Sequence, residues 1–118
     1  MTVISKQSAP HYQWGDQCDG WHLVKTPTLS VIQERVPPGG KEVRHLHHHA
    51  EQFFFVLSGT ATLEVDGTVY QLGENQGYHI GAGVPHQLSN DTAEHIEFIV
   101  TSMPPSHGDR VLAPDHNA

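Results

Sequence analysis

The sequence predicts an all-β barrel or sandwich built as one domain. Three observations carry this. Short β-rich runs are separated by turn signals, no long segment has a helical period, and 11 Gly and 8 Pro punctuate 118 residues. Thr28–Val36 (TLSVIQERV) alternates and is rich in β-branched residues. Pro37–Gly40 (PPGG) ends it. QFFFVLSG and TATLEV follow, joined across Ser58–Gly59. Val65–Thr68 (VDGT) holds the Asp-Gly pair favoured in tight hairpins, whose two central residues both need φ > 0. TVYQL, GYHIGAG, PHQLSN and EHIEFIVTS read as further short strands. The barrel core is expected over about residues 28–101. Residues 1–27 read as an N-terminal arm, and 102–118 as a Pro-rich tail with little strand character.

Composition excludes several classes. The net charge is −7, and the six Lys and Arg form no cluster, which argues against nucleic acid, whose phosphates are bound by cations. No run approaches 18 apolar residues, so no membrane-spanning helix is expected. The single cysteine, Cys18, rules out an internal disulfide framework. The first fifteen residues hold no apolar signal-peptide core, so a cytoplasmic address is expected. Cys18 reads as a passive small hydrophobe.

Eleven histidines remain to be explained. Arg44–Gln52 (RHLHHHAEQ) concentrates four of them. Such a cluster can be a metal site, a surface group of imidazoles or a pH switch. On a strand, residues i and i+2 share a face, so His45 and His47 project together. His86, after the Gly/Pro turn in GAGVPHQLSN, is the best third partner.

These two stretches resemble the two motifs of the cupin family. The family's first motif is Gly, five residues, His-x-His, three or four residues, Glu, six residues, Gly. Here Gly39 precedes five residues, His45-Leu46-His47, four residues, Gln52, six residues and Gly59. The second motif is Gly, five residues, Pro-x-Gly, two residues, His, three residues, Asn. Here Asn75 precedes five residues, Gly81-Ala82-Gly83, two residues, His86, three residues and Asn90. The likeness covers roughly residues 28–101. It departs at Gln52, which replaces the family's Glu, at Asn75, which replaces a Gly, and at Gly81, which replaces a Pro. Glu51 is out of register by one residue and faces the other side of the strand.

The resemblance implies a double-stranded β-helix, the jelly-roll barrel of cupins. It implies a metal site of His45, His47, Gln52 and His86. Three neutral imidazoles and an amide oxygen suit a divalent transition metal: Fe(II), Ni, Cu, Zn or Mn. Without the compensating charge of Glu, such an ion is a stronger Lewis acid, and open positions allow substrate or O₂ to coordinate. The family's range implies two main readings. One is a metal-dependent enzyme, dioxygenase-like or isomerase/lyase-like, acting on a small oxygenated molecule. The other is a non-catalytic small-molecule binder. A histidine pH sensor ranks third. Tyr78 and Glu97 are the acid/base candidates.

Other residues carry weaker expectations. His48 and His49 read as loop residues. His79 faces out. His95 and Glu97 share a face opposite Ile96 and Phe98, either solvated or paired in the pocket. His11, His22, His107 and His116 lack a motif context. Trp14–Trp21 (WGDQCDGW) reads either as a lid that packs Trp21 over the barrel mouth or as an arm swapped onto a partner. Phe54 shares the face of Gln52 and lines the pocket, as Tyr78 can. Phe53 and Phe55 face the other side, where cupins usually pair, which implies a homodimer.

Overall fold

The computed structural model describes residues 3–106 and 108–114. His107 and His116 lie outside the described residues. Among those described, the regular structure is entirely β. The strands are β1 (His11–Trp14), β2 (Cys18–Lys25), β3 (Ser30–Val36), β4 (His45–His47), β5 (Glu51–Ser58) and β6 (Ala61–Val65). β7 (Thr68–Leu72), β8 (Gly77–Ile80), β9 (His86–Ser89), β10 (Ile96–Met103) and β11 (Arg110–Leu112) complete the set. They form two antiparallel sheets, of order β1-β2-β3-β10-β5-β8 and β11-β4-β9-β6-β7.

Period-two patterning decides which side chains enter the barrel. β10 turns Ile96, Phe98, Val100 and Ser102 inward, while β5 buries Gln52, Phe54 and Val56. Val36, Leu63, Ile80 and Leu88 close the core from the remaining strands. Cys18 belongs to this core; burial pushes its thiol up to about 11, where it is no nucleophile.

Local turn chemistry follows the sequence. Asp66 and Gly67 have φ of 48° and 92°, and they join β6 to β7 in register from Ala61↔Leu72 to Val65↔Thr68. Asn75 takes φ of 63°, which its short polar side chain tolerates.

The two ends of the chain carry more strand than expected. The N-terminal arm supplies β1 and β2, a hairpin that extends the larger sheet through β3. The tail supplies β11, which pairs with β4 through Val111↔Leu46. Both were hard to foresee, because neither short strand has an apolar run of its own.

Candidate metal centre

β4 is only three residues long, and its pleat buries His45 and His47 on one face. β9 lies beside it in a register that sets His86 directly across from His45. Ring centroids are 4.9 Å apart for His45–His47, 4.6 Å for His45–His86 and 5.8 Å for His47–His86. One nitrogen from each ring lies within 4.8 Å of the others. Backbone carbonyls fix two of the rings. His45 Nδ1 donates to the Val43 carbonyl at 2.6 Å, and His86 Nδ1 to the Val84 carbonyl at 3.0 Å. A carbonyl only accepts, so each Nε2 is left with a bare lone pair. His86 Nε2 and both nitrogens of His47 are buried without a hydrogen-bond partner. Burial pushes His45 and His47 down to about 4 and also lowers His86, so the imidazoles stay neutral.

Gln52 enters the same cavity from the larger sheet. It is 7% exposed and stands opposite Ser102 on β10. Its Nε2 donates to Ser102 Oγ at 3.0 Å, which leaves Oε1 buried with no partner. Buried polar atoms are rarely left unpaired. Here three imidazoles and one amide oxygen are left acceptor-rich around one space, and that donor set fits a divalent cation.

Residues 32–102 match the family profile described as a cupin domain. The chain belongs to the cupin family. Its relatives include the mannose-1-phosphate guanylyltransferase of Klebsiella pneumoniae, 38% identical over 77 residues, which are 65% of this cupin and 16% of that enzyme. Another is the HTH-type transcriptional regulator PuuR of Escherichia coli K12, 34% identical over 65% of this chain and 42% of the regulator. The match therefore spans less than half the length of each. A solved structure from Klebsiella pneumoniae, a conserved protein with a double-stranded β-helix domain, superposes with a TM-score of 0.80. It is 20% identical and covers 98% of this chain and 99% of its own. That likeness confirms the double-stranded β-helix.

The cupin cavity measures about 760 Å³. His45 and His47 form one wall. Tyr12, Ile32, Glu34, Phe54 and Val100 form the other, with Trp14, His22 and Glu42 beside them. Ser106, Gly108 and Arg110 of the tail close the mouth. Phe54 lines the cavity. Trp21, Tyr78 and Glu97 do not. Trp21 is one residue out of phase: strand alternation turns His22 inward and Trp21 outward. There its ring packs 5.2 Å from Lys6 Nζ and 5.5 Å from Arg35 Cζ. Glu97 also faces outward, bound to Lys6 at 2.8 Å and to Gln33 at 3.1 Å. Tyr78 packs its ring 4.6 Å from Tyr70.

The loop histidines behave differently from their neighbours. His48 and His49 are exposed. Asp109 accepts the N–H groups of His49 and Ala50, both at 2.9 Å, and so ties the tail to this bend. His79 is exposed and pairs with Glu51 at 2.8 Å. Behind the site, Arg44 and Glu64 make a two-pronged ion pair at 2.6 and 3.1 Å, and Arg44 Nη1 also donates to the Pro114 carbonyl. This clamp joins β4 to β6.

Two carboxyls of the cavity were absent from the sequence reading. Burial, then the charge of Glu42, pushes Glu34 up to about 8 against a hydrogen bond from Tyr12. Burial pushes Glu42 up to about 7 against the Leu88 N–H and Arg110. The available signal was Ile32-x-Glu34-x-Val36, a Glu in the inward series of an alternating strand.

Proposed function

We propose that this cupin binds one divalent transition metal through His45, His47 and His86, with Gln52 Oε1 as a weaker fourth ligand. The supporting observation is three buried imidazoles whose ligand atoms lie within 4.8 Å of one another, with nitrogens of His47 and His86 and Gln52 Oε1 buried without a partner. Such an ion, when bound, polarises a coordinated oxygen and raises the acidity of neighbouring C–H and O–H groups. The protein acts on a small oxygenated molecule in the barrel, and isomerase- or lyase-like proton transfer fits the cavity better than dioxygenase-like chemistry. The two carboxyls Glu34 and Glu42 supply proton-accepting groups, and Arg110 at the mouth favours a substrate bearing an anionic group. A non-catalytic binder is the second reading, favoured by the absence of a carboxylate among the candidate ligands. The exposed outer face of β5, with Phe53 and Leu57, fits pairing of two copies.

Elemental analysis of tag-free protein tests the metal reading. About one ion per chain is expected in the wild type. His45→Ala and His86→Ala should lose it, while Gln52→Ala weakens binding by about 10-fold. Equal metal content in His86→Ala and wild type would sink the proposed site.

A further inference from the structure

We infer that Glu34 is the proton acceptor of the cavity, positioned by Tyr12, and that the substrate is a carbonyl compound with an exchangeable hydrogen on the adjacent carbon. This rests on the metal-binding reading above and names the reaction class of the same site.

The geometry begins with a glycine. Glu34 on β3 stands between Gly20 on β2 and Phe98 on β10. Gly20 carries no side chain, and the ring of Tyr12 occupies the space a side chain would fill. A Cβ at Gly20 would lie 2.3 Å from Tyr12 Cζ and 2.6 Å from its hydroxyl oxygen. The strand register requires this, since Tyr12 is the partner of Gly20 across the β1–β2 hairpin. His22, two residues along the same face, stacks on Tyr12 with centroids 4.9 Å apart. Thus Tyr12 lies flat against β2 with its hydroxyl over Gly20, the residue across from Glu34, where it favours the ionised carboxyl. Only glycine permits that approach.

The result is a carboxyl that lines the cavity with the Tyr12 phenol beside it. Ile32, Phe54 and Val100 line the same space and reduce water around it. The charged and titratable groups around Glu34 are Tyr12 from β1, Cys18 and His22 from β2, and Glu42 from the β3–β4 connection. His45 and His47 come from β4 and Arg110 from β11. β10 contributes only Phe98 and Val100 beside it. Glu42 is the less suitable acceptor, because its Oε1 already takes the Leu88 N–H at 3.1 Å.

The step is balanced without an oxidant. The Glu34 carboxylate takes a proton from the carbon next to the carbonyl. The C–H bond breaks, an O–H bond forms on Glu34, and the electron pair becomes the C=C bond of an enolate with its charge on oxygen. The same carboxyl returns a proton to carbon. In D₂O it returns a deuteron, so the reaction is visible even without net conversion.

The experiment uses tag-free protein whose metal content is determined in the same sample. Dihydroxyacetone, 3-hydroxybutanone and 2-oxobutanoate are the probes, and proton NMR in D₂O follows loss of the α C–H signals. Wild type should exchange at least one probe about 100-fold faster than Glu34→Gln, the scale of a general base. Both should hold equal metal. Tyr12→Phe should keep exchange but move its pH midpoint upward, because the lost donor had favoured the carboxylate. Gly20→Ala should reproduce that shift by displacing Tyr12. A carbon-13 titration of the Glu34 carboxyl in metal-free protein should show the same upward move in both variants. These two carry the test if Glu34→Gln fails to fold. Equal exchange in wild type and Glu34→Gln overturns the inference, as does an unmoved midpoint in Tyr12→Phe. Metal-bearing protein with no exchange of any probe also overturns it. Protein without metal overturns the parent reading and this one with it.

Discussion

The two walls of the cavity reach their polarity in opposite ways. The histidine wall comes from one short strand and its neighbour, β4 and β9. Its ring nitrogens do not bond to each other, and burial keeps them neutral. The facing wall draws Tyr12, Glu34 and Gln52 from β1, β3 and β5. There Gln52 bonds to Ser102, and the Tyr12 hydroxyl lies over Gly20, across from Glu34. One wall is a set of ring nitrogens that could hold a cation. The other is held by bonds such as Gln52 Nε2 to Ser102 and leaves Gln52 Oε1 over.

The strongest way to break the comparison is to disturb the histidine wall from behind. Glu64→Ala removes the carboxylate that Arg44 grips at 2.6 and 3.1 Å, and the loss should be about 3–5 kcal/mol in a denaturant titration. The double variant Arg44→Met, Glu64→Leu should recover most of it, because both members of the pair are then replaced by apolar groups. A single variant that unfolds like the wild type would show that the clamp does not hold β4 in place.

Next in size is metal removal. Binding to the folded chain alone stabilises it by about 2.7 kcal/mol at 100 times Kd. Chelation should therefore lower Tm in the wild type and in Glu34→Gln alike, and leave His86→Ala unmoved. A chelator effect that survives in His86→Ala would place the ion elsewhere.

A smaller effect distinguishes the walls by pH in metal-free protein. Glu34 and Glu42 rise from 4.5 to about 8 and 7, so they bind more protons folded than unfolded. Their contribution is present below pH 4.5 and is lost as pH climbs through 7 and 8. His45 and His47 fall from 6.5 to about 4, so their contribution is lost as pH drops from 6.5 toward 4. The two effects oppose each other at intermediate pH, and above 6.5 the carboxyl wall acts alone. Tm should decline from pH 6.5 to 8, and Glu34→Gln should flatten that decline. An unchanged slope in Glu34→Gln would mean that Glu34 ionises freely.

The histidine wall was legible in the sequence because its spacing is local. His45-x-His47 needs only a pleat, and the turn before His86 announces a strand start. The fold was legible for the same reason, through alternation and the Asp66-Gly67 turn. The opposite wall depends on pairings that spacing does not encode. Tyr12, Trp14 and His22 enter only because residues 11–25 form strands, and an arm without a strand assignment has no phase. Without that phase, Trp21 reads equally as a lid over the barrel mouth or as part of a swapped arm. Glu34 was within reach, since its strand had been identified and both its i±2 neighbours are apolar. Arg110 depends on the return of the tail to β4.

The smallest expected effect sharpens the contrast most. Glu97→Gln and Tyr78→Phe alter the two residues that sequence alone favoured as acid and base. Glu97 faces away from the cavity and holds Lys6 in a partly exposed pair, of the kind worth about 0–1 kcal/mol. Tyr78 packs its ring on Tyr70, and the phenylalanine keeps that packing. Both variants should hold wild-type metal and exchange the carbonyl probes at the wild-type rate. Glu34→Gln makes the same chemical change as Glu97→Gln, from carboxylate to amide, on the strand next to it. If only Glu34→Gln slows exchange, the difference lies in which face of the sheet the carboxyl occupies. If Glu97→Gln slows it equally, proton transfer does not depend on the wall that Tyr12 and Glu34 build.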